Sequence, residues 1–296
     1  MRVLPSAAMA NVLVELLDLL GLERIETDLF RGQSQDLGWG NVFGGQVVGQ
    51  ALSAAQQTVP ADRFAHSMHG YFLRIGDAKK PIVYEVDRIR DGKSFTTRRI
   101  VAIQDGEAIF TMAASFQVHE PGLEHQAPMP ECPGPEGLPS ELELARRAID
   151  RIPAPLRGMA TCERPIEIRP VDPYDPLHPD KRPPTRRVWY RAIDRLPDAS
   201  LVHQYLLAYA SDFNLLGAAM QPHGVSWMIP GMQVASLDHA IWFHRPFRMD
   251  EWLLYVIDSP SAGGARGLSR GQFFTQDGVL VASTAQEGLM RQRPPR

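Results

Sequence analysis

Cysteine is scarce in this chain: two in 296 residues, Cys132 and Cys162, both in or near its Pro-rich middle. Their positions give no metal-ligand spacing, and so little thiol suggests a reducing compartment, so a cytoplasmic location without a metal centre is expected. An excess of positive charge is missing as well. With 31 Lys and Arg against 34 Asp and Glu, the formal net charge is −3, and no basic stripe exists of the kind that binding a phosphate backbone requires. Nucleic acid is therefore not an expected partner, while a compact anionic ligand remains open. Long apolar runs are absent too. None reaches the roughly 18 residues of a membrane span. Residues 11–22 place apolar side chains at helical spacing, but Glu15, Asp18 and Glu23 accompany them and no cationic region leads into an unbroken apolar core. That pattern reads as an amphipathic helix and not as a secretory signal. The C-terminal Arg-Pro-Pro-Arg is not an address of the Ser-Lys-Leu type.

What the chain has is an internal echo. QDGVLVASTAQEG at 276–288 opens with the same Gln-Asp-Gly as QDGEAIFTMAASFQ at 104–117, 172 positions upstream, and Trp242-Phe243-His244-Arg245 follows Tyr71-Phe72-Leu73-Arg74 by 171. A long-period repeat implies one structural unit written twice. The length suits two units of ordinary size. We expect an N-terminal lobe at 1–119, a Pro-rich linker at 120–164 and a C-terminal lobe at 165–296.

In chain order, residues 24–31 alternate well enough for a strand. Residues 39–59 are apolar most of the way round, which predicts a buried helix whose small residues let a surrounding sheet approach. Glycines 44, 45 and 49 cost such a helix roughly 0.8–1 kcal/mol each against Ala, so packing must decide it. From 66 to 117 come four strand-like stretches, with Asp-Gly pairs at 91–92 and 105–106 as tight-turn signals. A helix followed by hairpin-linked strands is an α+β pattern. Prolines crowd residues 120–139, and a short helix is expected over 141–151. The second copy supplies strands at 166–172 and 186–194, a second apolar helix at 203–221 with Asp212 in its middle, and a second meander over 232–290.

Aligned by these landmarks, Asp212 falls opposite Asn41, Ser236 opposite Ala65, and Gln286 opposite Ala114. The spacings are 24 and 50 residues in the second copy, 24 and 49 in the first. Carboxylate, hydroxyl and carboxamide in one half thus face amide, methyl and methyl in the other, as if only the second half were live. On residue types alone, three such groups are more readily satisfied core polars.

The segments YASDFNLLGAAMQPHG (209–224), MQVASLDHAIWFHRPFRMDEWLLY (232–255), ARGLSRGQFFTQDGVLVASTAQEGLMR (265–291) and NVFGGQVVGQAL (41–52) closely resemble the acyl-CoA thioesterase II family, the double hot-dog thioesterases. The resemblance covers nearly the whole chain. It implies an α+β double hot-dog, with each antiparallel sheet wrapped around a central helix. It also implies hydrolysis of fatty acyl-CoA to free fatty acid and coenzyme A, a catalytic trio of Asp212, Ser236 and Gln286, and no cofactor. Family members carry Thr or Ser at the position of Ser236, and either keeps the hydroxyl. Acyl-CoA is the expected partner, and a homo-oligomer the expected assembly. The residue types suit the chemistry: Asp212 as general base, with Ser236 and Gln286 orienting the attacking water.

Other features carry less. Gly267-Leu268-Ser269-Arg270-Gly271 matches G-x-S-x-G, yet it runs on into a strand where a nucleophile elbow needs a sharp turn into a helix. His66 and His69, or His239 and His244, would point to opposite faces of a regular strand and make no metal site. Asp238 shares a face with Ser236 and is the rival base. Lys79, Lys80, Arg88, Arg90, Arg98 and Arg270 could meet coenzyme A phosphates, though such residues are usually just solvated. A hot-dog hydratase or dehydratase, or a non-catalytic acyl-CoA binding protein, is the alternative. The former typically wants a His or a paired acid on the site helix, which offers Asp212 beside Asn214 and no His between His203 and His223.

Overall fold

The computed structural model describes residues 11–293, so the first ten residues and most of the C-terminal tetrapeptide considered above lie outside the described residues. Helix α1 (Asn11–Leu20) buries Leu13, Leu16 and Leu20 along one face, as its spacing predicts. Residues 24–31 are not one strand. They fold as a hairpin, β1 (Glu23–Glu26) and β2 (Leu29–Gly32), because Asp28 turns the chain at φ 61°, a conformation its short polar side chain tolerates.

Helix α2 (Gly44–Gln56) is shorter than its apolar stretch and buried on every side from Gly45 onward. The meander follows: β3 (Arg63–Phe72), β4 (Ile82–Asp91), β5 (Phe95–Gln104) and β6 (Glu107–Val118). Asp105 and Gly106, at φ 52° and 79°, make the tight turn between the last two.

The Pro-rich stretch after β6 is not a free tether. It lies as a strap across the second half of the sheet, where Trp189 donates its indole N–H to Pro133 O at 2.9 Å and Gln126 bonds both Gly278 O and Leu280 N. Met129, Cys132 and Leu138 pack there against Trp189, Leu254 and Phe274. Two short helices follow, α3 (Glu141–Arg147) and α4 (Ala154–Thr161), the second without a sequence forecast. Ser140 and Glu143 form a reciprocal capping box on α3.

The second half runs β7 (Ile166–Pro170), β8 (Thr185–Ala192), α5 (Ser200–Ala210), α6 (Gly217–Met220), β9 (Met232–Ser236), β10 (Asp238–Phe243), β11 (Leu253–Gly263), β12 (Arg266–Thr275) and β13 (Leu280–Gln292). All strands join one antiparallel sheet in the order β1-β2-β4-β5-β6-β3-β10-β13-β12-β11-β8-β7, with β9 also on β13. First-half strands fill one side, second-half strands the other, and β3 meets β10 in the middle.

The sheet curls around α2 and α5, which pack against each other. A Cβ on Gly45 would come within 2.2 Å of Tyr209 O, and one on Gly49 within 3.0 Å of Tyr205 O. The glycines therefore admit a second helix, where the sequence suggested a sheet. Because the two contacts run in opposite senses along the chain, the helices are antiparallel. The C-terminal end of α5 lies at the N-terminal end of α2.

Candidate active site

Asp212 is not in the middle of a helix. Helix α5 stops at Ala210, and residues 211–216 form a turn before α6 in which Asn214 adopts φ 66°. Several hydrogen bonds pin this turn. Tyr255 donates its hydroxyl to Ser211 O and Tyr190 donates to Phe213 O, both at 3.2 Å. Asn214 Nδ2 reaches Tyr190 Oη at 3.0 Å and Glu141 Oε1 of α3 at 3.3 Å. Burial pushes the Tyr190 and Tyr255 phenols far up, so both stay protonated donors.

The structure brings the three sequence-named residues together. Ser236 donates its hydroxyl to Asp212 Oδ1 at 3.0 Å, and Gln286 Nε2 donates to Ser236 Oγ at 2.9 Å. Strand pairing explains the second contact: Ser236 on β9 is in register with Gly288 on β13, two residues from Gln286. Behind them stands a residue that the sequence reading set aside. His239, fully buried, places Nδ1 2.5 Å from Gln286 Oε1 and Nε2 2.8 Å from Ser211 Oγ. From sequence it is weighed only as a metal ligand, paired with His244. The strand breaks at Leu237, whose carbonyl accepts from Phe72 N–H and whose N–H donates to Glu287 O, so Ser236 and His239 both face inward.

Donor and acceptor chemistry orders this chain. A carboxamide oxygen only accepts, so His239 donates from Nδ1 to Gln286, while the Ser211 hydroxyl, which donates to Ala208 O at 3.0 Å, lies at Nε2. The hydrogen bonds then run one way, from His239 through Gln286 and Ser236 to Asp212. Asp212 Oδ2 is left without a partner among the described residues. It faces the N-terminus of α2, where a Cβ on Gly44 would lie 2.6 Å away. Phe43 supplies no side-chain cap, and the N–H groups of Gly44 and Gly45 have no acceptor among the described residues.

Other candidates resolve differently. Asp238 Oδ1 accepts from Glu287 N–H at 2.7 Å and stands outside the chain. Ser269 sits in mid-strand on β12, fully buried with its hydroxyl unpartnered, where no nucleophile elbow exists. Lys80, Arg88, Arg98 and Arg270 are held in ion pairs with Asp105, Asp28, Asp91 and Asp258. Among the described residues no group of three or more His, Cys, Asp or Glu is placed to hold a metal ion.

The first half repeats the strand geometry without these groups. Ala65 is in register with Phe116, as Ser236 is with Gly288, and Ala114 precedes Phe116 by the same two residues. Asn41 is not the counterpart of Asp212, however. It lies three residues before α2, while Asp212 lies two residues after α5, so the two occupy opposite ends of corresponding helices. The equal spacing of 24 arose because 21 residues separate α5 from β9 and only six separate α2 from β3. At the position of Ser269 the first half has Arg98, opposite Ala114 as Ser269 is opposite Gln286. Its buried guanidinium fills that space, bonded to Thr58 and Asp91.

Comparison with known proteins agrees with this architecture. The profile described as acyl-CoA thioesterase matches residues 155–289, and the one described as acyl-CoA thioesterase N-terminal domain matches residues 34–117. Acyl-CoA thioesterase 2 of Haemophilus influenzae is 45% identical over 283 residues, covering 96% of this chain and 99% of its own. Acyl-coenzyme A thioesterase 8 of Homo sapiens is 41% identical over 298 residues, covering 98% and 92%. The crystal structure of an acyl-CoA thioesterase II from Mycobacterium marinum superposes with a TM-score of 0.77 at 44% identity, covering 94% of this chain and 98% of that one. A hot-dog protein from Alicyclobacillus acidocaldarius, 21% identical with a TM-score of 0.72, shares the fold. With a duplicated sheet-and-helix unit, and with profiles and relatives that span both halves, this chain belongs to the acyl-CoA thioesterase II family and has its double hot-dog fold.

Proposed function

We propose that this thioesterase hydrolyses fatty acyl-CoA to free fatty acid and coenzyme A with a water activated by Asp212. The observation that carries the reading is the directed hydrogen-bond chain that ends on Asp212 Oδ1 and leaves Oδ2 free. A water donating to Oδ2 can accept the second N–H of Gln286, which aims a lone pair at the thioester carbon. Asp212 takes the water's proton as the C–O bond forms, and the carbonyl oxygen becomes an oxyanion. The open N–H groups of Gly44 and Gly45 at the start of α2 suit that charge. The oxyanion collapses, the C–S bond breaks, and Asp212 returns its proton to the leaving thiolate. No covalent enzyme intermediate is required.

On this reading the reacting side chains come from the second half, residues 165–296. The first half has Ala65, Ala114 and a space filled by Arg98 where a second set would stand. It contributes the α2 terminus and the walls. The free cysteines Cys132 and Cys162 fit a reducing cytoplasm. The products fit lipid metabolism. Exposed Tyr71, Leu73 and Ile75, clustered at the end of β3, favour burial between copies in a homo-oligomer.

The test is thiol release from palmitoyl-CoA by wild type and Asp212→Asn. A fall in kcat of about 10²–10⁴ is expected, the range general bases supply. Retention of more than half the rate would move the base to another residue, Asp238 first. A hydratase would consume an enoyl-CoA without thiol release, and a sensor would only bind.

A further inference from the structure

Two tryptophans stand at the surface beside this site, one from each half. Trp39 is 45% exposed and Trp227 41%, and their rings meet edge to face at 6.5 Å. Neither is on a slack loop. Asp36 Oδ1 accepts the N–H groups of Gly38, Trp39 and Gly40 at 2.7–2.9 Å, and Gly38 and Gly40 flank the indole at φ 103° and 73°, which only glycine adopts freely. Trp227 follows Ser226, whose buried hydroxyl donates to Pro176 O and accepts from Met228 N–H. Both segments are thus built to hold an indole in water, a costly place for a large apolar ring.

From this pair a line of rings leads inward. Trp39 lies 6.4 Å from Phe43, and Phe43 stacks on Phe213 at 4.3 Å with Tyr209 edge-on to both. Phe213 adjoins Asp212, and Phe43 precedes the open N-terminus of α2. We propose that Trp39 and Trp227 form the outer end of the acyl subsite, where they grip the distal methylenes of a long-chain acyl group whose thioester lies at Asp212. This rests on the thioesterase reading above.

Two observations favour the acyl arm over coenzyme A as the occupant. The tryptophans close on one another at 74° instead of leaving a parallel slot for a purine. The group beneath Trp39 is the Asp36 carboxylate, which the N–H groups of Gly40, Gly38 and Trp39 hold below the usual carboxylate range. Lys79 is close enough to assist and balances that charge at Trp39 itself.

The experiment is the chain-length profile of kcat/KM for butyryl-, octanoyl- and palmitoyl-CoA in wild type, Trp39→Ala and Trp227→Ala. Each variant should lose about tenfold or more on palmitoyl-CoA and stay within about twofold on butyryl-CoA. The ratio is read within one variant, so partial misfolding cannot mimic it. An equal loss at every length, or a selective loss of inhibition by free coenzyme A, would overturn the proposal. If wild type released no thiol at any length, the hydrolase reading would fail by itself, and calorimetric titration with palmitoyl-CoA and with coenzyme A would decide the subsite. Both variants should then bind palmitoyl-CoA more weakly and coenzyme A unchanged; unchanged palmitoyl-CoA affinity would sink the idea.

Discussion

His239 fixes the direction in which Gln286 points: its Nδ1, 2.5 Å from Oε1, turns Nε2 toward Ser236. Without that ring the amide is free to rotate by 180° and present an acceptor to the serine. His239→Ala should lower kcat by about ten- to a hundredfold with KM within a few-fold, the signature of lost positioning. Adding it to Gln286→Ala should cost little more than Gln286→Ala alone, since the two act as one unit. Additive losses would separate them.

Gly44 tests whether the first half takes part in the reaction. A methyl group there would lie 2.6 Å from Asp212 Oδ2 and 3.1 Å from the Phe72 ring. Gly44→Ala should fold, because the gain in helix propensity, about 1 kcal/mol, offsets part of an overpacking cost of about 1–3 kcal/mol. Its kcat should nonetheless fall by about tenfold or more as the carboxylate is displaced. Wild-type kcat in the folded variant would remove α2 from the site.

Ser269 should prove dispensable. Its buried hydroxyl has no partner among the described residues, so Ser269→Ala removes an unmet desolvation cost and should raise stability by about 1 kcal/mol in denaturant unfolding. Activity should stay within about threefold, and fluorophosphonates should not label the wild-type enzyme. Stoichiometric labelling at Ser269 would refute hydrolysis by direct water attack.

Glu141 gives a pH dependence with a definite sign. Burial pushes its carboxyl up, with nearby Arg186 and the Asn214 hydrogen bond pulling partly back. A carboxyl whose folded pKa exceeds its unfolded one holds its proton better in the native state, so it lowers stability as pH rises out of the acid range. Glu141→Gln keeps an acceptor for Asn214 and should be more stable than wild type at pH 7.5. The difference should narrow near pH 4, close to the unfolded pKa of about 4.3. Urea unfolding at the two pH values checks it; a variant less stable at pH 7.5 would mean that pairing with the arginines dominates.

Most of the fold was legible because strand alternation and turn chemistry are local. The Asp105-Gly106 turn and the four strands of the first meander follow from neighbours in sequence, and the repeat carried the same pattern into the second half. The strand positions of the site were legible for the same reason, since Ser236 and Gln286 keep their register relative to Ala65 and Ala114. What misled was geometry between helices. Asp212 follows α5 and Asn41 precedes α2, and only antiparallel packing of the two helices shows that those positions differ. The place of His239 beside Ser236 depends on one irregular residue, Leu237. The approach of Gly45 to Tyr209 is a contact between halves 164 positions apart in the chain, with no local signature.

The seam between β3 and β10 bears on how substrate gets in. Five registered pairs, from Asp238 with Tyr71 to Trp242 with Ser67, tie the halves into one ladder of backbone hydrogen bonds. Such a beam has no hinge, and the halves cannot swing apart without breaking all five pairs together. Admission of the acyl chain therefore falls to segments outside the named strands, residues 33–43 and 211–231, which carry Trp39 and Trp227. Because those segments are pinned by their own hydrogen bonds, entry there is a matter of side-chain rotation, picoseconds to nanoseconds for exposed residues, and not of domain closure.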